Sequence, residues 1–238
     1  FLASAAGRRF GPGFSGWLTG LPLLAGPISI FVSIEQSPAF AAHAAGGTLL
    51  GMWSSCVFCL AYDRFARFGW PAAATAAVLG FAGATWALEP LALTPALALA
   101  GVYAGATLCL LAIERPTDTL APVRLPAWDM PVRLAIAAAF VLLQTSIAGW
   151  LGPKLSGLVT PFPIVVILLT VFAHVQQGAS AAARVLRGFL MGMYAFSAFF
   201  LIVAWMIESL GRTWAYLLAL AACLAINGAT LRVARRTL

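Results

Sequence analysis

Charge is what this chain of 238 residues has least of. Asp, Glu, Lys and Arg together make up 9% of it. A soluble domain needs roughly 25% charged residues to cover its surface. A water-soluble globular fold is therefore excluded. A nucleic-acid binder is excluded on the same ground, although the formal net charge is +7. Cysteine is scarce as well, and Cys56, Cys59, Cys109 and Cys223 all fall inside apolar stretches. Disulfides need accessible, oxidising surroundings, so none is expected. The Cys56-x-x-Cys59 pair shares a helix face, but a metal or redox site there also needs a second pair or a nearby His. The pair reads as two small buried apolar residues. Enzyme motifs are missing: there is no phosphate-binding glycine loop, no His-rich cluster and no Asp-rich nucleotide motif. No enzyme activity, metal or cofactor is expected.

What is present is apolar: 62% hydrophobic residues and a mean hydropathy of +0.97. These numbers describe an integral membrane protein. Runs of about 20 apolar residues predict eight full helical spans at 16–34, 44–63, 70–88, 94–113, 132–150, 157–174, 185–206 and 212–231. Residues 1–6 read as the tail of a further span, giving nine, with the start of the first missing. A cleaved signal peptide is the competing explanation for a start without Met. The fold class expected is all-α and polytopic. The abundance of Ala and Arg fits a GC-rich bacterial genome.

The few charges set an orientation. With the spans numbered from the truncated first, odd-to-even loops and the C-terminus hold Arg8, Arg9, Arg64, Arg67, Arg115, Arg124, Arg133, Arg184, Arg187, Arg232, Arg235 and Arg236. The even-to-odd loops hold Lys154 and Arg212 alone among basic residues. By the positive-inside rule the first set faces the cytoplasm. The expected location is a bacterial inner membrane, multi-pass, with a cytoplasmic C-terminus. The net positive charge thus records topology and needs no polyanionic partner.

The chain also repeats itself. Residues 11–60 and 152–201 align without gaps at an offset of 141, with 16 identities in 50 positions. The matches include Gly11/Gly152, Pro12/Pro153, Gly16/Gly157, Pro22/Pro163, Gln36/Gln177, Gly47/Gly188, Gly51/Gly192 and Met52/Met193. Coincident Gly and Pro are not what shared apolar composition produces. The division expected is 1–90 for a first four-helix repeat, 91–131 for a connector helix and cytoplasmic linker, and 132–238 for a second repeat. Five spans separate equivalent positions, so the copies cross the membrane in opposite senses. Inverted repeats of this kind build many secondary transporters. The function expected is export of a small solute or ion by alternating access, with proton coupling as one mode. A channel, or a non-transporting scaffold or assembly subunit, is the alternative. The partners expected are the lipid bilayer, an unidentified solute or ion, and a second copy or larger membrane complex.

Polar and helix-breaking residues suggest where a site would lie. Pro22, Gly26 and Pro27 interrupt the second span, and Pro161 and Pro163 the seventh. Paired breaks of this kind point to a transporter's binding site, although a proline in a first helical turn costs little. Glu35 and Gln36 end the second span, and His174, Gln176 and Gln177 end the seventh. These five are the candidate contacts for a solute or ion path, with Glu35 or His174 as titratable groups. Ordinary helix-end roles compete in each case. Deeper polar residues are Ser54-Ser55, Gln144-Thr145-Ser146 and Asn227, the sole Asn. They either line a path or join helix to helix. The Gly47-x-x-x-Gly51 and Gly188-x-x-x-Gly192 runs read as close-packing faces.

The second copy also resembles the GlpM family of small four-helix bacterial inner-membrane proteins. The residues that carry the resemblance are Ser156-Gly157-Leu158-Val159, Phe162-Pro163, Ala173-His174, Leu186-Arg187, Gly192 and Phe199. The resemblance implies an inner-membrane location and a four-helix unit, and no substrate. The first copy departs from it, with Ser33 in place of His174 and Gly46 in place of Arg187.

Overall fold

Glycine and proline place the helix boundaries. The computed structural model describes residues 11–22, 25–116, 135, 139 and 162–237, and every regular element among them is helical. The elements are α1 (Pro12–Leu18), α2 (Ala25–Glu35), α3 (Pro38–Phe65) with a short 3₁₀ turn at Ala66–Phe68, α4 (Trp70–Leu88), α5 (Pro95–Ala112), α6 (Ile164–Gln177) and α7 (Ala179–Thr237). The expected span 132–150 apart from residues 135 and 139, the linker beyond residue 116, Lys154 and Pro161 lie outside the described residues. Proline opens α1, α3 and α5 at their first positions, where a missing N–H costs nothing. Ser37 and Thr94 cap α3 and α5, their side chains accepting from the amides of Phe40 and Leu97.

The long α7 is two helices joined at Gly211, whose φ of 76° and ψ of 166° are not helical. Gly69 turns the chain the same way ahead of α4, with φ 94° and ψ 163°. Only glycine adopts this backbone without strain. The segments 179–210 and 212–237 are called α7a and α7b below. Among the described residues, four helices (with α7 taken whole) are long and apolar enough to cross a membrane, while α2 and α6 are apolar but shorter. The protein is a polytopic α-helical membrane protein.

Helix bounds recur near the sequence offset. α2 over 25–35 corresponds to α6 over 164–177, and α3 from Pro38 corresponds to α7a from Ala179. The Gly69 corner corresponds to the Gly211 corner one residue out of step.

α3 and α7a form the centre. α3 packs on α4, α5 and α7, and α7 on α1, α3, α5 and α6. α4 and α5 lie outside and turn large apolar side chains outward, with Trp86 82% and Leu111 77% exposed. Such faces suit lipid. Backbone meets backbone where α1 and the turn after it cross α7a. A Cβ on Gly20 would stand 2.1 Å from the Cα of Gly192, and one on Gly188 would stand 2.0 Å from the carbonyl oxygen of Gly13. The Gly188-x-x-x-Gly192 face therefore seats the backbone of α1, the arrangement by which small residues hold membrane helices together.

Candidate functional site

Contacts sort the helix ends into two groups. The ends of α3, α5 and α6 and the start of α7 lie together, because Tyr62 meets His174 and both Arg64 and Arg187 reach the end of α5. This end carries Arg64, Arg67, Arg115, Arg184 and Arg187. At the other end the start of α3, the end of α4, the start of α5 and the Gly211 corner share one apolar cluster, including Ala41, Leu88, Ala98, Ile207 and Ala215. That end carries Glu35, Glu89, Glu208 and Arg212. The described loops that hydropathy assigns to one face are thus gathered at one face.

The basic end holds a buried polar cluster. Arg187 is 2% exposed, and one of its terminal nitrogens donates to the carbonyls of Leu110, at 2.7 Å, and Ile113. The last carbonyls of a helix lack intrahelical partners and carry the negative end of its dipole. Arg187 thus caps α5 from the other half of the chain. Arg64 donates to the carbonyl of Ala112 at 3.5 Å and Arg184 to that of Pro116 at 3.3 Å. Arg64 and Arg187 therefore hold the end of α5, and Arg184 holds the chain just beyond it. The half-buried Asp63 lies within electrostatic reach of Arg187, Arg64 and Glu114. Next to this clamp the hydroxyl of buried Tyr62 stands 3.2 Å from Nδ1 of His174. Thr170, His174 and Gln177 follow one face of α6 at helical spacing. The Thr170 hydroxyl and the Gln177 Oε1 are buried with no hydrogen-bond partner among the described residues.

A second polar feature lies along an interrupted helix. Between α1 and α2 the described residues 19–22 lie outside either helix, and α2 begins at Ala25. Pro22 lies in that link, and Gly26 and Pro27 lie in the first turn of α2. The reading that favours a deep break at Gly26-Pro27 thus meets a break that comes earlier in the chain. Pro163 immediately precedes α6 as its N-cap. α7b runs antiparallel along both pieces. Trp17 of α1 donates to Thr230 at 3.2 Å, and the Tyr216 hydroxyl donates to the carbonyl of Ser29 in α2 at 2.7 Å.

The structure does not gather the sequence-named polar residues into one site. Glu35 and Gln36 are exposed at the end of α2. His174, Gln176 and Gln177 lie at the opposite end of α3, a helix about 40 Å long at 1.5 Å per residue. His174 and Gln177 join Arg187 and three groups that the sequence does not single out: Tyr62, Asp63 and Thr170. Arg187 was counted with the loop charges, yet it lies inside the expected span 185–206, and a charge inside a span is the signal that marks it. The first copy has no counterpart of this cluster. Ser33 bonds its own helix at Ile30, and Gly46 faces open space.

No family model, curated protein or solved structure matches the chain.

Proposed function

We propose that the protein is a secondary transporter that exports a small solute across the bacterial inner membrane by alternating access, built from two inverted four-helix repeats. The observation that carries this reading is the recurrence of α2, α3 and the Gly69 corner as α6, α7a and the Gly211 corner, near the offset at which the sequence repeats. Two like halves in opposite senses give inward-open and outward-open states of similar energy. The segregation of Arg to one helix-end face supports placing that face, with the C-terminus, in the cytoplasm. The GlpM-like motif adds an inner-membrane four-helix unit to this reading and nothing about substrate. Export is taken by analogy with small exporters, which also occur as single units and fused pairs.

Proton coupling would use His174 beside Tyr62, or Glu35 at the other face. Inside-out vesicles holding a pH gradient test it. A panel of small amides, polyols, organic cations and organic anions is added, and the gradient is followed by a fluorescent amine. One class should dissipate the gradient, and the response should be lost in His174→Gln or Glu35→Gln. A gradient indifferent to every class contradicts coupled transport.

The backbone-to-backbone seat of α1 on α7a favours a second reading, a rigid membrane scaffold or assembly subunit. Absence of flux together with a stoichiometric membrane partner would select it.

A further inference from the structure

The corner between α3 and α4 exposes positive charge and aromatic rings together. Arg64, Phe65, Arg67, Phe68 and Trp70 are all exposed there. The 3₁₀ turn at Ala66–Phe68 sets the pattern. In such a turn, side chains three residues apart eclipse. Phe65 and Phe68 accordingly stand together, with ring centroids 6.0 Å apart. Arg64 and Arg67 have the same spacing one residue earlier. Gly69 then turns the chain and brings Trp70 to the same corner as the first residue of α4.

The arginines of this end are not equally occupied. Arg187 is buried on the carbonyls of Leu110 and Ile113, and Arg64 and Arg184 reach those of Ala112 and Pro116. Asp63 lies within electrostatic reach of Arg64 and Arg187. Arg67 makes no hydrogen bond and no ion pair among the described residues, and its guanidinium lies over the ring of Phe68 at 4.6 Å. The ring attracts the cation but accepts none of its N–H donors in the way an oxygen does. Arg67 is thus held in place with its donors open.

The level of the corner says what those donors meet. α3 ends and α4 begins here, and both are long and apolar enough to cross a bilayer. The corner therefore lies among the headgroups, where exposed aromatic rings are favoured. The acceptor abundant at that level is lipid phosphate, which a guanidinium binds with paired N–H bonds. The Gly211 corner shows that the turn itself does not call for arginine. It lies at the other end of the bundle and also exposes apolar and aromatic side chains, Leu210 and Trp214, yet Glu208 stands there at the 141 offset from Arg67.

We propose that the α3–α4 corner is a binding site for an anionic glycerophospholipid. Arg67 donates to the headgroup phosphate, Arg64 adds a second positive charge, and Phe65, Phe68 and Trp70 lie against the glycerol and the first acyl carbons. Anionic lipids are preferred because a zwitterionic headgroup carries its own cation, which competes with arginine for the phosphate. Binding requires that the bundle sits in a bilayer, and not that it transports.

The test uses the full chain in a neutral detergent, titrated with short-chain phosphatidylglycerol, short-chain phosphatidylcholine or inorganic phosphate. Phosphatidylglycerol should give a saturable rise in Tm that the other two do not give. Arg67→Gln should raise the half-saturating concentration about fivefold, the worth of one arginine at an anionic lipid surface. Arg212→Gln, at the other corner, should leave it unchanged. Arg115→Gln, at a second exposed arginine of the same end, should change it far less than Arg67→Gln does. The substituted positions are all exposed, so the variants keep the fold. An equal response to phosphatidylcholine, or no saturable response to phosphatidylglycerol, overturns the site. A matching response to inorganic phosphate assigns the arginines to a free anion and overturns the lipid. Equal losses in Arg67→Gln and Arg115→Gln make the effect one of total charge, and overturn the corner as its seat.

Discussion

At the scale of single residues, the interior is decided by what each polar group can reach. Arg187 meets the carbonyls of Leu110 and Ile113 at the end of α5, with Asp63 within electrostatic reach. Arg187→Met removes the donor and leaves acceptors buried, so it should destabilise the protein by about 2–4 kcal/mol in reversible unfolding from lipid nanodiscs. Arg187→Lys keeps the charge but loses the planar fork, and should retain about half of that stability. Thr170 is the opposite case. Its hydroxyl has no partner, so Thr170→Val, which keeps the shape, should be neutral or stabilising by up to about 1 kcal/mol in the same assay. A loss of more than that would mean that the hydroxyl is bonded. None of these roles was legible in the sequence, because a helix face cannot be read without knowing which helix lies opposite. The exception is the charge of Arg187 inside an apolar run, which was visible but was counted with the loop beside it.

At the scale of elements, glycine does two separable jobs. At the α1–α7a crossing it admits backbone. Gly20→Ala puts a methyl 2.1 Å from the Cα of Gly192 and must push the helices apart. The expected cost is about 1–3 kcal/mol, the usual range for forced overpacking. Gly228→Ala is the control, since its Cβ meets nothing within 4 Å and it lies within α7b. It should be neutral or gain up to about 1 kcal/mol of helix propensity. Equal effects of the two substitutions, by thermal unfolding, would contradict the crossing. At Gly211 the job is conformational: φ of 76° is strained for any residue with a Cβ, and Gly211→Ala should cost about 1–2 kcal/mol although nothing crowds it. Most element bounds were legible. The spans 70–88 and 94–113 fall almost on α4 and α5, and the pair 185–206 and 212–231 falls on the two segments of α7. The second span was not legible as drawn. Hydropathy averages over a window, so the apolar residues of α1 and α2 merge across the link that separates them.

At the scale of the whole molecule, scarcity of charge proved more informative than abundance of apolar residues. Any helical membrane protein is apolar, but the positions of a few arginines separate two faces, and the described helix ends bear all of them but Arg212 on one of those faces. The sequence repeat pairs residues 11–60 with 152–201, and the pairs that differ set the two segments apart. His174 pairs with Ser33 and Arg187 with Gly46. Inverted topology is the claim from which alternating access follows, and Arg67 and Glu208 test it most directly. They are equivalent at the 141 offset, both are exposed, and they close equivalent helices at opposite ends of the bundle. Single-cysteine proteins carrying Arg67→Cys or Glu208→Cys, with the four native cysteines replaced, are treated in right-side-out vesicles with a membrane-impermeant maleimide. The account predicts immediate labelling at position 208 and labelling at position 67 only after permeabilisation. Labelling of both positions from the same side would contradict it.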